Sequence, residues 1–600
     1  MVASQVISRR DVEFLLYEWL DVVSLVDRPR FSDHDRSTFD GVIDMAETMA
    51  VQTFAPINRL LDETEPRVGE SGRVEQPAEL SAALKVFAES GLTASTFDIA
   101  HGGAQLPAVV RAACAVFLQA ASISAYAYPF LSEANANLLV AFGTPEQIRL
   151  FAHPIIEGRW YGTMCLSEPQ AGSALNDIAT AAVAGPDGSY RLRGTKMWIS
   201  GGDHELAENI VHLVLAKTER PDGAGADLSL FAVPRYLVAA DGSLGERNDV
   251  ALAGLNHKMG YRGTVNTVLS FGEGAWTPGG APGAVGHLVG EEGRGLEYMF
   301  HMMDEARIGV GSGAVALGYT GYLRALDYAR ERTQGRRLGG QADEPGSVPI
   351  SEHPDVRRML LAQKSYAEGG LALILYCARL VDEERAGGDA TECAQAAALL
   401  RLLTPIAKSW PSQWCLKGND LAIQVHGGYG YTRDFPVEQL YRDNRLNPIH
   451  EGTHGIQALD LLGRRVHRND GADLHLLIGR MLATCRRGLA GGGVEGEHAA
   501  AVERWALELE RVTQALSQVG DRVEALANAA YYLDAFGHIV VAWLWLEQEL
   551  VAKGRVGGFY DGKRWAARYF FRYELPAIEP WLRLVEQRDR TTIDLDPATI

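Results

Sequence analysis

Between about residues 159 and 273 the apolar residues of this chain stop recurring every third or fourth position and recur every second. A chain with that interruption cannot be a single helical bundle, because period two puts side chains on the two faces of a strand. Within the block, Tyr190-Arg191-Leu192-Arg193 alternates, and 211–215, 228–233 and 267–271 read as strands. Turn signals separate them at Pro186-Asp187-Gly188 and Asp241-Gly242. On the N-terminal side the pattern is helical: 12–20 is amphipathic, and Phe39, Val42, Ile43, Met45, Ala46 and Met49 keep one face. Residues 113–140 predict a buried helix pair, and Thr144-Pro145-Glu146-Gln147 predicts a capped helix start.

After the sheet, 274–286 is rich in Gly and Pro and reads as a linker. Helical pattern returns from Leu296 to about 466, broken by a polar, Gly-rich loop at 335–346. A second Gly-rich linker, 488–496, opens an aromatic helical segment that runs to about 590. The expected class is mainly α with a central antiparallel β domain. Its expected domains are an N-terminal helical domain (1–158), a central β domain (159–275), a helical-bundle domain (287–470) and an added helical domain (475–600). At 600 residues several cores are required.

The net charge of -19 argues against gripping nucleic acid or an anionic membrane. Six cysteines without a Cys-x-x-Cys pair predict free thiols, no metal site and a reducing compartment. Arg9-Arg10 is followed at once by Asp11 and Glu13, so no leader pattern is read there, and the apolar run 539–546 is too short to span a bilayer. A cytoplasmic protein without membrane contact is expected.

Three stretches carry chemistry. Ile449-His450-Glu451-Gly452-Thr453-His454-Gly455-Ile456-Gln457 sets a carboxylate beside a glycine in a break between helices. A glutamate in an apolar pocket has its pKa raised toward neutral and suits removal of a weakly acidic C–H proton. Cys165-Leu166-Ser167-Glu168-Pro169-Gln170-Ala171-Gly172-Ser173 ends a strand in a small-residue loop whose N–H groups can face an anion or a ring carbonyl. Lys196-Met197-Trp198-Ile199-Ser200 offers an indole face and a hydroxyl. Taken singly, each has a plain structural alternative: a capping turn, a strand-end cap, a core tryptophan.

In this order the stretches resemble the acyl-CoA dehydrogenase family, up to about residue 466. The resemblance implies a helical domain, a β-barrel-like domain and a four-helix bundle, with FAD as cofactor and an acyl-CoA as substrate. It makes Glu451 the catalytic base. It puts Leu166, Ser167, Trp198, Ile199 and Ser200 at the flavin, and Ser173 near the CoA moiety. Tyr328-Ala329-Arg330-Glu331-Arg332-Thr333-Gln334-Gly335-Arg336 matches the stretch that reaches the FAD diphosphate, with Arg332 and Gln334 as contacts. Gln424, Gly427 and Gly428 match the glycine turn that contacts FAD across a dimer interface. His353 and Thr453 are further cofactor contacts. Asp304, Arg307 and Gly452 are implied in substrate binding. Electron-transferring flavoprotein is the implied partner, and a homodimer or dimer of dimers the implied assembly.

Some features depart from the common pattern. His450 stands where a tyrosine is usual, Gly455 where a polar residue is usual, and Pro354 where a glutamine is common. Glu305 is a rival carboxylate, but the family's alternative base position corresponds to Ala306; one residue on a helix is a rotation of about 100°. The added helical segment resembles that of a large bacterial subgroup and is expected to pack on its own subunit or its dimer mate. Tyr126, Tyr128 and Phe130 add bulk on the helix that in the family lines the acyl tunnel. An acyl-CoA oxidase would use the same site with oxygen as acceptor. A member repurposed for nucleic acid would need a basic surface; the acidic balance argues against one, although local patches such as Arg564, Arg568 and Arg572 exist.

Overall fold

The computed structural model describes residues 6–219, 225–339 and 346–600. Residues 340–345 of the expected Gly-rich loop therefore lie outside the described residues. The chain divides into two compact units: Asp44–Leu106 with Ala121–Ala306, and Met1–Ile43 with Pro107–Ala120 and Arg307–Ile600.

The first of these units holds the sheet. Its strands are β1 (Tyr161–Cys165), β2 (Ala181–Ala184), β3 (Tyr190–Ser200), β4 (Ile210–Glu219), β5 (Ala226–Pro234), β6 (Val250–Leu255), β7 (Asn266–Phe271) and β8 (Ala284–Leu288). They run in the order β6-β7-β3-β8-β5-β4-β1, and β2 bridges β3 to β4. The path β3-β8-β5-β4-β2 thus returns to β3, which makes the sheet barrel-like. Pairing is antiparallel except where β1 runs parallel to β4, from Tyr161 opposite Ile210, and where β2 touches β4. Residues 210–216 of β4 are buried throughout, as befits a strand covered on both faces.

Helix α1 (Ile123–Phe142) packs on β1. Asn135 on α1 donates through Nδ2 to the carbonyls of Thr163 and Val211, 3.0 Å each, tying the parallel pair together. The approach is so close that a Cβ at Gly162 would fall 2.5 Å from the Asn135 side chain. The stretch expected to be a linker ends in three residues that begin β8, which pairs with β3 and β5. Glycine and proline at its start mask the short apolar run Ala284-Val285-Gly286 that completes the barrel.

The second unit is helical. Its long elements are α2 (Gly295–Glu331, which begins in the β unit), α3 (Pro354–Ala386), α4 (Ala390–His426), α5 (Val437–Asn444), α6 (His454–Gly463), α7 (Ala472–Gly491), α8 (Gly493–Ser517), α9 (Ala529–Ala552) and α10 (Gly558–Tyr569). The expected linker at 488–496 is a tight corner instead. Gly492, at φ 59° and ψ -165°, turns α7 into α8 in one residue, a conformation open only to glycine. Helix α9 is apolar on nearly every side because it is enclosed by α4, α6, α8 and α10. Among the described residues it is the one helix long and apolar enough to cross a membrane, and most of it is buried in this unit. The added segment therefore packs on its own chain. All six cysteines are free.

A buried charge cluster ties the N-terminal helix Arg9–Glu13 to the added segment. Lys563 on α10 is fully buried between Asp11 and Glu368, the latter 2.8 Å away, and donates to Gln548 Oε1 at 2.9 Å. Tyr319 donates to Asp11 at 3.0 Å, and Lys364 pairs with Glu368. Removing one member of such a cluster strands the others without solvent. Lys563→Met is expected to destabilise the protein by about 3–5 kcal/mol, read as a lower thermal midpoint. Lys364→Met, which leaves Lys563 in place, should cost less.

Candidate active site

Glu451 lies in the segment between α5 and α6. It and Gly452 are both left-handed, at φ 52° and 85°. A non-glycine residue there is strained by roughly 1–2 kcal/mol. Side chains hold the strain. Gln457 Nε2 donates to Glu451 O at 3.0 Å, and Lys408 Nζ donates to Gly452 O at 2.7 Å. Thr453 caps α6, its hydroxyl accepting from Ile456 N at 3.3 Å. Among the described residues, no protein acceptor takes the Glu451 N–H and no donor reaches its carboxylate.

The electrostatics follow from burial. Desolvation raises the Glu451 pKa above the ordinary carboxylate value, against the pull of Arg307 and Lys408. Burial pushes Lys408 down to about 7, although Glu451 draws it back up. Burial pushes His450 down to about 3, so it is neutral, and its Nε2 meets Asn447 Oδ1 at 3.1 Å. Arg307 is buried and paired with Asp460 at 3.2 Å, and Arg465 shares that carboxylate. The implied substrate contact is therefore a buried ion pair beside Glu451.

Lys408 sits where α4 is interrupted by Pro405 and Pro411. A helix proline leaves the carbonyl four residues before it without its usual donor. Arg465 supplies one to Arg401 O at 3.1 Å. Gly311 on α2 lies against Ala407 O so closely that a Cβ there would clash.

On the β unit, the two other stretches are stitched together. Met197 N donates to Ser167 O at 3.0 Å, and Lys196 Nζ donates to Leu166 O and to Glu168 Oε1 at 2.9 Å each. Glu168 also accepts from Ala179 N and Thr180 N and from the Thr180 hydroxyl. Burial opposes its charge, but these hydrogen bonds and Lys196 together hold its pKa at about 2. Burial also lowers the Lys196 pKa, which offsets part of that gain. Trp198 is left-handed at φ 66° and 58% exposed, so its indole is on view. Ser200 Oγ accepts from Asn266 at 3.1 Å, Ile199 is buried, and Ser173 is exposed. Asp304 is half-buried on α2. Glu305 is engaged by Asn137 Nδ2, 2.9 and 3.1 Å from its oxygens. Tyr126 and Tyr128 are core residues, the Tyr128 hydroxyl accepting from Val265 N at 2.9 Å.

On the helical unit, Arg332 and Gln334 are exposed and joined at 3.2 Å, and His353 Nε2 meets Gln334 O at 2.7 Å. Pro354 fits as the first residue of α3, after His353 as its cap. Gln424, Gly427 and Gly428 are exposed, and a Cβ on either glycine would meet open space. Tyr328 stacks on His426 at 4.3 Å, joining this turn to the arginine stretch over a shared apolar core.

The sequence reading missed Lys408, Gln457, Lys196, Glu168 and Asn137 as parts of these sites. Lys408 had a signal: a charge inside the apolar run Ile406-Ala407-Lys408-Ser409-Trp410. Lys196 had one too, since period two puts it on the buried face with Leu192.

Glu168 is below its unfolded pKa, so its stabilisation is present above about pH 4.5 and is lost as the pH falls toward about 2. Glu168→Gln is expected to flatten that part of the urea-midpoint profile between pH 5 and pH 2.

Comparison with known proteins matches residues 163–273 to the family "Acyl-CoA dehydrogenase, middle domain" and 293–467 to "Acyl-CoA dehydrogenase, C-terminal domain". Residues 477–596 match "Acetyl-CoA dehydrogenase C-terminal like". The chain is 37% identical to the 3-methylmercaptopropionyl-CoA dehydrogenase of Ruegeria pomeroyi over 85% of this chain and 86% of that one. It is 33% identical to a broad-specificity linear acyl-CoA dehydrogenase of Mycobacterium tuberculosis over 98% of each. The crystal structure of a Bacillus anthracis acyl-CoA dehydrogenase complexed with FAD shares the fold, with a TM-score of 0.66 at 19% identity over 94% of this chain and 96% of that one.

Proposed function

The chain belongs to the acyl-CoA dehydrogenase family, and from that premise we propose that it oxidises a saturated acyl-CoA thioester to the trans-2-enoyl-CoA with FAD as cofactor. The observation that carries this reading is Glu451: a strained, half-buried carboxylate with a raised pKa, facing two cations and bound by no donor.

The residues present suit FAD. Arg332 with Gln334 matches a diphosphate, since a guanidinium fork pairs with its oxygens. Gly427 and Gly428 leave backbone open to a ligand. Trp198 offers a ring face with Ser200 two residues on, and Leu166 and Ser167 are locked to the same strand end. Bound FAD would accept the β-hydrogen with its electron pair.

This chain's own residues do the rest. Glu451 takes the α-proton; its raised pKa makes it basic enough to compete for that proton. Its unengaged N–H is a preset donor for the thioester carbonyl, where charge develops as the proton leaves. Lys408 and Gln457 keep both groups in place by holding the carbonyls on either side of the Glu451–Gly452 bond. Arg307 and Lys408 oppose the rise in the Glu451 pKa and so favour the charged carboxylate. We assign electron-transferring flavoprotein as acceptor, a homodimer or dimer of dimers as the active form, and the cytoplasm as its location.

A panel of acyl-CoA thioesters with an artificial electron acceptor tests the reading. Glu451→Gln is expected to lower kcat by about 10²–10⁴-fold while FAD absorbance is retained. Turnover near wild type in that variant would move the base elsewhere. Lys408→Met removes a positive charge from beside the base, so the acid limb of the kcat/KM profile should move to higher pH.

A further inference from the structure

Behind the strained turn, three helices meet in a polar line. Ser409, next to Lys408 on α4, has its Oγ 2.6 Å from His454 Nδ1. His454 opens α6, three residues after Glu451. Its Nε2 lies 3.4 Å from Asp534 Oδ1 on α9, within the added helical segment. The geometry assigns Asp534 as a positioning residue for the Glu451 turn, acting through His454 and Ser409, which makes the added segment part of the catalytic apparatus. This rests on Glu451 being the base.

The order Ser, His, Asp is that of a nucleophilic triad, but Ser409 is fully buried within α4 and presents no face to a substrate. The line therefore acts as a brace. An imidazole with one nitrogen on a hydroxyl and the other facing a carboxylate is fixed in orientation and tautomer. With Asp534 facing Nε2–H, Nδ1 accepts from the Ser409 hydroxyl.

Helix α4 then grips the turn at two neighbouring points, Lys408 on Gly452 O and Ser409 on His454. The next residue, Trp410, donates to His538 Nδ1 on α9 at 3.2 Å and fixes α9 against α4. Anything that frees His454 loosens the first turn of α6, which carries Thr453 and the Gln457 amide that holds Glu451 O.

The test uses the FAD-loaded full chain, with butyryl-CoA and octanoyl-CoA as substrates and ferrocenium as acceptor. Asp534→Asn keeps shape and removes charge. It should lower kcat roughly 10- to 100-fold, with KM within about twofold and flavin content and thermal midpoint unchanged. Asp534→Glu should restore most of kcat. A substrate-free arm follows the His454 imidazole resonances, assigned with His454→Gln; they should shift and broaden in Asp534→Asn as the ring loses its fixed orientation. Wild-type kcat in Asp534→Asn, unmoved His454 imidazole resonances, or a kcat loss that tracks lost flavin or melting and is not recovered in Asp534→Glu would each overturn the assignment. If wild type turns over neither thioester, the dehydrogenase reading is what fails, and the resonance arm still decides the brace.

Discussion

A lysine ammonium removed from water is costly unless its N–H groups and its charge both find partners. Lys408 meets that demand with one carbonyl and one carboxylate, and both belong to the same two residues, Glu451 and Gly452. The left-handed turn is tolerable because the lysine needs it, and the lysine is tolerable because the turn supplies its acceptor. The two prolines of α4, Gly311 against Ala407 and the Arg465 donation to Arg401 are the local conditions that let this part of the helix approach the turn. Charge balance beside Glu451 is a by-product of solving that burial problem.

The β unit solves a similar problem differently. Lys196 and Glu168 are mutual partners, and the glutamate is saturated with hydrogen bonds that hold its charge far below neutral pH. It works as a fastener that fixes the strand ends bearing Leu166, Ser167 and Trp198. Lys408 is pushed down to about 7 by burial, and the Glu451 carboxylate beside it draws it back up. The two buried lysines differ in how fully each counter-ion is already engaged.

Much of this was legible from periodicity. The change from helical to alternating pattern located the sheet, and the Thr144 box starts its helix as expected. Periodicity failed where glycine carries two meanings. At 284–288 Gly/Pro-rich composition hid a strand, and at Gly492 it marked a sharp corner in place of a linker. Glu451 was identifiable because its neighbours in sequence form a recognisable run. Lys408, Gln457 and Asp534 were not, because their roles depend on which turn of a distant helix faces the loop. Arg307 shows the converse: its position was evident, but its commitment to Asp460 is a tertiary fact.

The cluster around Lys563 has a consequence for how the protein is made. Asp11 emerges early in synthesis, and its countercharge on α10 emerges only after the catalytic turn, α7, α8 and α9. Until α10 is made, Asp11 has Tyr319 and the charge of Lys364 but not its nearest cation. The N-terminal helix therefore reaches its final charge balance only once the added segment exists.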